Sequence, residues 1–185
     1  MSRLPALVAA LLLIAAPAHA DLGKPRTFGK QAVRVQIEPV TKAIYEGAKD
    51  WVYSLRKTER PDGSGIFATE AQGGYVDGRL SRIIATDWNS YGKYQSEYYF
   101  QGGVLVFTYE TFEWFEGKEP RAAARDSRGL AAWERRSYFK DGAIAYAEAT
   151  GTGGPMAGTD GDKLVARAGE LSALIEARRA AGTAK

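Results

Sequence analysis

A short pattern of apolar and turn-forming positions occurs three times along this chain. It consists of an aromatic residue, any residue, Asp or Gly, Gly, any residue and an aliphatic residue. The three copies are Tyr75–Leu80, Phe100–Leu105 and Phe139–Ile144. Asp-Gly and Gly-Gly pairs tolerate the positive φ that a two-residue type I′ turn needs at both central positions. Each copy therefore predicts the tip of a β-hairpin.

The segments on either side of the three turns predict six strands. Their bounds are Ile66–Val76, Arg79–Trp88, Tyr94–Gln101, Val104–Phe115, Trp133–Lys140 and Ala143–Ala149. The basic, Ala-rich stretch from Gly117 to Gly129 is predicted to be a solvated connection between the second and third hairpins, with an interaction arm as the alternative. The Gly-rich stretch from Gly151 to Gly161 is predicted to be a flexible linker, because it has neither the dinucleotide-loop nor the P-loop spacing.

Apolar residues at spacings of three and four predict one helix before the strands and one after them. The first runs over Pro39–Lys57, since Pro suits a first helical turn, and the second over Lys163–Ala181. Their apolar faces consist of Val40, Ile44, Ala48, Trp51 and Leu55, and of Leu164, Ala168, Leu171 and Ile175. Before the first helix, Val33, Val35 and Ile37 alternate with polar residues and predict a short strand or an extended lead-in.

A regular hairpin register then assigns every strand residue to one of two sheet faces. We call face one the side that carries the aromatic and aliphatic residues of the three turns, and face two the opposite side. Face one is predicted to carry Tyr75, Leu80, Ile84, Trp88, Tyr94, Tyr98, Phe100, Leu105, Phe107, Tyr109, Trp133, Phe139, Ile144 and Tyr146. Face two is predicted to carry Gln95, Glu97, Tyr99, Val106, Thr108, Glu110, Glu134, Arg136, Tyr138, Ala145 and Ala147.

These elements predict an α+β fold. It consists of a six-stranded antiparallel β-meander of three hairpins, with the N-terminal and the C-terminal helix both packed on face one. Face two is then expected to be solvated, as antiparallel sheets permit. A single domain is expected over residues 39–181, after a loose segment at 21–38 and before a frayed end at 182–185.

The first twenty residues have the features of a secretory signal peptide. Arg3 provides a positive start, an apolar run over Leu4–Ala16 follows, and Ala18-His19-Ala20 forms a cleavage site. The run is shorter than the roughly 20 residues that span a bilayer. We therefore expect cleavage after Ala20 and a periplasmic or secreted protein without membrane insertion.

Cleavage would remove His19, the only histidine of a chain that contains no cysteine. Imidazole- and thiolate-based catalysis, zinc sites made of these ligands and disulfides would then be excluded. Removal of Arg3 lowers the net charge from +3 to +2, and the basic residues form no stripe, so nucleic-acid binding is not expected. Asp160-Gly161-Asp162 lacks the further oxygen ligands of a calcium loop. We expect no metal and no cofactor.

The function best suited to these features is a non-catalytic binding or interaction module that uses the solvated sheet face or the hairpin loops. Its ligand would be a periplasmic protein or another cell-envelope ligand. The residues proposed for binding are Glu97, Tyr99, Glu110, Arg136 and Tyr138. Trp51, Tyr45 and Tyr53 could line a pocket, although a core position on the first helix is favoured for Trp51.

Two alternatives remain open. Glu97, Glu110 and Glu134 could share face two, and a pair of carboxylates can hydrolyse a glycoside when held at a suitable separation. A carboxylate-based hydrolase of a cell-envelope glycan is therefore one alternative. A structural or envelope-stress protein without a ligand site is the other.

Three stretches around the turns, Gly74–Ile83, Glu97–Phe107 and Glu134–Gly142, resemble a loose group of exported bacterial proteins of unknown function. These proteins carry a "YYFdnGkL" hairpin, a later "ERYYFdnGkLIrw" hairpin and a helix on either side. The resemblance covers roughly residues 40–180 in its order of elements. It departs at Gly102, where Asn is usual, and at Ser137, where a second Tyr is usual. It implies no activity and no catalytic residues.

A weaker likeness is to MORN-type repeats, which also string aromatic-Gly hairpins together. Here the turns are separated by 25 and then by 39 residues. This unequal spacing argues against a regular array.

Overall fold

The computed structural model describes residues 30–57, 66, 68–115, 133–151 and 161–183. The elements are α1 (Lys30–Gly47), β1 (Lys49–Lys57), β2 (Ala68–Val76), β3 (Arg79–Trp88), β4 (Gly92–Gln101), β5 (Val104–Trp114), β6 (Trp133–Lys140), β7 (Ala143–Gly151) and α2 (Gly161–Thr183). Consecutive strands pair antiparallel from β1 to β7. The α+β class and the meander are confirmed, but the sheet has seven strands rather than six. The predicted signal peptide, the connection Gly117–Gly129 and the linker after Gly151 lie outside the described residues.

The additional strand, β1, replaces the second half of the predicted first helix. The helix ends at Gly47, and Asp50 adopts a positive φ of 53° at the start of the strand. From Val52 onwards each residue pairs with β2, beginning with Val52 opposite Gly73. The prediction of a helix to Lys57 was wrong because the helical spacing of apolar residues overlaps with a strand-like alternation. Pairing with β2 satisfies the backbone groups of this segment and decides in favour of the strand.

The start of α1 also differs from the prediction. The helix begins at Lys30 and continues through Pro39, so the segment expected to be loose or extended before Pro39 is helical from Lys30 onwards. Its apolar positions follow helical spacing and lie on one side, and they are Val33, Ile37, Val40 and Ile44. An internal Pro removes one backbone hydrogen bond. Val33 and Ile44 are buried, and this tertiary packing stabilises a helix that local propensity alone would end at Pro39.

The three predicted turns are confirmed as type I′ turns. Both central residues have positive φ in each of them, at Asp77-Gly78, Gly102-Gly103 and Asp141-Gly142. The aromatic and the aliphatic residue of each turn lie opposite each other, as predicted. These pairs are Tyr75 with Leu80, Phe100 with Leu105 and Phe139 with Ile144.

One extra residue follows the aliphatic position in the second strand of every hairpin. It leaves Ser81, Val106 and Ala145 without a pairing partner across the hairpin. Such a β-bulge shifts the register by one position, and each later side chain of that strand then points to the other face. The bulge therefore recurs at the same place in all three copies of the turn pattern.

The predicted faces are consequently right for the first strand of each hairpin and wrong for the second strand beyond the bulge. Tyr98 lies opposite Thr108 instead of Phe107, and Ser96 opposite Glu110 instead of Tyr109. Five residues predicted on face one lie on face two, namely Ile84, Trp88, Phe107, Tyr109 and Tyr146. Three residues predicted on face two lie on face one, namely Thr108, Glu110 and Ala147.

The main core lies between face one and α2. The helix residues Leu164, Ala168, Leu171 and Ile175 are buried, as predicted. They pack with Ala71, Tyr75, Ile83, Ala85, Tyr98, Phe100, Leu105 and Phe139 of the sheet. A polar contact fixes the same helix, since Arg167 Nη2 lies 2.7 Å from Asp87 Oδ1.

The first helix, α1, packs on face two and not on face one as predicted. Glu38 accepts a hydrogen bond from the hydroxyl of Tyr138, Arg34 lies 3.7 Å from Glu148, and Tyr45 lies against Arg82. All three partners belong to face two. The sheet therefore lies between two helices in a three-layer arrangement. The reason is the bulges, which move Phe107 and Tyr146 to face two and give that side its own aromatic residues to cover.

We predict that Gly73→Ala lowers the free energy of unfolding by about 1–3 kcal/mol through overpacking. A Cβ at this position would collide with Ile175 and come within 2.9 Å of Leu80 Cδ1. Urea unfolding measured by far-UV circular dichroism checks this. Gly169→Ala on the exposed side of α2 is the matched control, because its Cβ meets no atom within 4 Å, and it should stabilise by about 0.5–1 kcal/mol. Equal effects at both glycines would contradict the packing of α2 on face one.

Candidate binding surface

A row of partly exposed side chains crosses face two beside α1. Each strand contributes one member, and neighbours lie opposite each other in register. The row consists of Tyr53, Gln72, Ile84, Glu97, Tyr109, Arg136 and Glu148, all of them exposed or half-buried. We call this row, together with Tyr45 and Trp51, the shelf. Because α1 covers the adjoining row, the shelf is bounded by the helix on one side.

Three large aromatic residues are exposed at the β1 end of the shelf. The exposed fractions are 60% for Tyr45, 41% for Trp51 and 50% for Tyr53. The absence of a side chain at Gly74 lets the Trp51 ring approach the sheet, since a Cβ there would lie 2.9 Å from two ring atoms. The Arg82 guanidinium lies 4.4 Å from the centre of the Tyr45 ring and 5.7 Å from that of Trp51. This cation–π arrangement holds the rings at the surface in a defined place.

The carboxylate of Glu97 joins this aromatic end to the centre of the shelf. It lies 2.7 Å from Nη2 and 3.2 Å from Nε of Arg82, and it accepts a hydrogen bond of 2.6 Å from the hydroxyl of Tyr99. Burial and this hydrogen bond to Glu97 raise the pKa of Tyr99. The hydroxyl therefore stays a donor, and the charge of Glu97 is matched by Arg82.

A second network lies at the other end of the shelf. Glu134, in the next row, accepts hydrogen bonds of 2.9 Å from Tyr109 and from Arg136. These bonds from Tyr109 and Arg136 lower the pKa of Glu134. Arg136 also lies 4.9 Å from the centre of the Tyr109 ring. Glu148 accepts a hydrogen bond of 3.1 Å from Tyr146. Every carboxylate named here has a partner within the protein.

Of the five predicted binding residues, two lie on the shelf. Glu97 and Arg136 are partly exposed there, on strands β4 and β6. Tyr99 and Tyr138 also belong to face two but are buried, and Tyr138 donates to Glu38 of α1 over 3.4 Å. Their rings take part in a series of aromatic contacts across β4–β7, with centre distances of 5.5, 5.0 and 5.7 Å. This part of face two is therefore covered by α1 rather than solvated as expected.

The fifth predicted residue, Glu110, lies on face one and is fully buried. Its Oε1 accepts a hydrogen bond from Tyr94, whereas Oε2 has no hydrogen-bond donor within the described part of the chain. The Nε atom of Arg135 lies 3.9 Å from this Oε2. Burial raises the pKa of Glu110 against the lowering effects of Tyr94 and Arg135. The three carboxylates Glu97, Glu110 and Glu134 therefore do not share one face, as the hydrolase alternative required.

Sequence reasoning missed most of the aromatic end of the shelf. Tyr45, Trp51 and Tyr53 were considered as a set, but Trp51 was favoured as a core residue because the segment was interpreted as helical. No feature of the sequence indicated that Arg82 packs against the rings of Tyr45 and Trp51, since a charged residue in a strand normally faces solvent. Tyr109 was assigned to the other face because no feature of the sequence marks the bulge at Val106.

Two cavities lie between α1 and the hairpin tips, on the other side of the helix from the shelf. The larger, of about 700 Å³, is lined by α1 and by the first two hairpins, with Leu80 and Phe100 among its apolar residues. The smaller, of about 250 Å³, lies between α1 and the second and third hairpins. Their walls combine apolar residues with polar residues of the hairpin tips, such as Asp77, Arg79 and Gln101.

Within the described ranges, no group of three or more His, Cys, Asp or Glu side chains is placed to hold a metal ion. None of the helices in these ranges combines the length and the apolar character needed to cross a membrane. Comparisons with protein-family models, with curated proteins and with solved structures found no match. The assignment of a function therefore depends on the geometry of the chain itself.

We predict opposite pH dependence of stability from two glutamates. The pKa of Glu110 is raised above its ordinary value of 4.5, because burial disfavours the ionised carboxylate. The free-energy cost of ionising Glu110 in the folded state therefore disappears as the pH falls from neutral through the raised pKa. The free energy of unfolding of the wild type should therefore rise relative to Glu110→Gln as the pH falls from about 7.5 towards the ordinary pKa value of 4.5. The linkage is about 1.4 kcal/mol for each unit by which the pKa is raised.

Glu134→Gln is the control, because the pKa of Glu134 is lowered. The ionised Glu134 carboxylate stabilises the folded state above the unfolded pKa of about 4.5, and this stabilisation is lost as the pH falls through the pKa of the folded state. The wild type should thus lose stability relative to Glu134→Gln below about pH 4.5. Urea titrations at four pH values measure both differences. A parallel pH dependence of the two variants would contradict the assignment of Glu110 to the core.

Proposed function

We propose that this chain is a non-catalytic binding module of the bacterial cell envelope, and that it holds its ligand on the shelf. The observation that carries the proposal is the exposed aromatic end formed by Tyr45, Trp51 and Tyr53. A predicted signal peptide at residues 1–20 supports the location in the envelope.

Exposed aromatic rings are unusual on a surface without a binding role. Trp and Tyr bury large areas when a partner covers them, and they are enriched among the residues that dominate binding energies. The rings of Tyr45 and Trp51 both lie within 6 Å of the Arg82 guanidinium, and Tyr53 follows two positions after Trp51 on the same strand. A cluster of this kind suits a ligand contact better than isolated apolar residues such as Val104 do.

The arrangement of the carboxylates supports binding rather than hydrolysis. Glu97 and Glu134 each accept two or more hydrogen bonds from neighbouring side chains. A carboxylate that acts as a general acid needs a raised pKa. Glu134 has a lowered pKa, and Glu110, whose pKa is raised, is buried on the opposite face. These hydrogen bonds hold the polar side chains of the shelf in place before a ligand binds.

The proposal is tested by co-sedimentation of the mature protein with a total envelope preparation from a Gram-negative bacterium. We expect the wild type to be retained and Trp51→Ala with Tyr53→Ala to lower the apparent affinity at least tenfold, which corresponds to about 1.4 kcal/mol. Trp51 and Tyr53 are 41% and 50% exposed, so the double variant should keep the far-UV circular dichroism spectrum of the wild type, and a cooperative thermal unfolding transition verifies that it is folded.

Val104→Ala is the matched control, because Val104 is 54% exposed at a hairpin tip away from the shelf. It should leave retention unchanged. Retention that is equal in the wild type and in the folded double variant would refute the shelf as the binding surface. Absence of any retention of the wild type would refute the envelope-binding function.

A further inference from the structure

The geometry points to an uncharged glycan as the ligand of the shelf. This inference rests on the proposed function and names the chemical class of its ligand. It follows from three properties of the shelf, which are its charge pairing, its mixture of exposed rings with planar polar groups, and its length across the sheet.

The charges of the shelf are already paired within the protein. Arg82 pairs with Glu97 at 2.7 Å, and Arg136 pairs with Glu134 at 2.9 Å. The third arginine beside the shelf, Arg34, lies 2.7 Å from Glu38 and 3.7 Å from Glu148. A phosphate or carboxylate ligand would have to displace one of these carboxylates, at the cost of an uncompensated charge. Each arginine here thus favours a ligand without net charge.

The remaining binding groups of the shelf are of two kinds. Exposed rings at Tyr45, Trp51 and Tyr53 offer apolar surfaces, against which the C–H faces of a pyranose ring pack. Gln72, Glu97 and Arg136 have planar side-chain groups with two or three polar atoms, which suit bidentate hydrogen bonds to vicinal hydroxyls. A carbohydrate is the neutral ligand that has both an apolar face and a dense set of hydroxyl groups.

The length of the shelf favours an oligosaccharide over a single sugar. The row from Tyr53 on β1 to Arg136 on β6 crosses five strand intervals. At about 4.8 Å between neighbouring strands this distance is roughly 24 Å. A ligand that contacts both the aromatic end and the Tyr109–Arg136 end must therefore be an extended chain of several units.

An added peptide strand is less suited to this surface. Strand addition requires a free sheet edge, because the affinity comes from backbone hydrogen bonds. Five of the seven shelf strands, β2 to β6, are paired with a neighbour on both sides, so they present only side chains to a ligand that lies across face two. Recognition there depends on side-chain groups, as in the binding of a glycan.

The test is isothermal titration of the mature protein with three uncharged tetrasaccharides, namely tetra-N-acetylchitotetraose, cellotetraose and maltotetraose. We expect at least one of them to bind and to protect Trp51 from iodide quenching. Trp51→Ala and, separately, Gln72→Ala should each weaken that binding, the former by at least tenfold. Val104→Ala should leave it unchanged, and raising the salt concentration from 50 to 500 mM should change the affinity less than twofold.

The outcomes separate this inference from the proposed function. If envelope retention depends on Trp51 and Tyr53 but no tetrasaccharide binds or competes, the shelf binds another class of ligand and the glycan inference is overturned. A steep loss of affinity with salt would likewise overturn it in favour of a charged ligand. If a tetrasaccharide binds and the shelf variants bind it equally well, both the inference and the shelf are refuted.

Discussion

The position of one unpaired residue in each hairpin determines most of this structure. Ser81, Val106 and Ala145 follow the aliphatic position of their turns, and each reverses the direction of the later side chains in its strand. Without these bulges Phe107, Tyr109 and Tyr146 would join the aromatic residues of face one. That face would then be too rich in large side chains to accept α2, whose Ile175 approaches Gly73 and Leu80 closely.

The bulges therefore divide the aromatic residues between two helices. Face one keeps Tyr75, Phe100 and Phe139 near the turns, where they pack in the core with α2. Face two receives Phe107 and Tyr146, which join Tyr99 and Tyr138 in a series that α1 covers. Burial of apolar surface stabilises a fold by about 25 cal/mol per Å². A sheet with two apolar faces is therefore stabilised when a helix covers each face. The three-layer arrangement is the consequence.

The shelf is the row of face two that borders α1 without being covered by it. Its charged residues satisfy one another in two networks around Glu97 and Glu134, and this pairing makes a charged surface stable without a partner. The aromatic end is different, since no element in the described part of the chain covers Tyr45, Trp51 and Tyr53. This asymmetry within one sheet face is the physical basis for assigning the binding role to the shelf rather than to the cavities beside the hairpin tips.

The sequence by itself determined the three turns, the antiparallel meander and the apolar side of α2. Asp-Gly and Gly-Gly fix the backbone locally, and Leu164, Ala168, Leu171 and Ile175 follow one period over a whole helix. Such features depend on residues close together in the chain. Among the predicted binding residues, Glu97 and Arg136 were also placed on the correct face, because both precede the turn of their hairpin and so precede the bulge.

Two features could not be predicted from local sequence patterns, because contacts between distant parts of the chain select them. They are the choice between helix and strand and the direction of side chains beyond each bulge. The segment from Val40 to Leu55 fits a helical period and, in its second half, a strand alternation, and only pairing with β2 selects the strand from Lys49 onwards. A bulge has no distinctive residue at Ser81, Val106 or Ala145, so the burial of Glu110 and the exposure of Tyr109 could not be foreseen. The exposed position of Trp51 could not be foreseen either, since it requires a strand at the sheet edge and a glycine at position 74 beneath the ring.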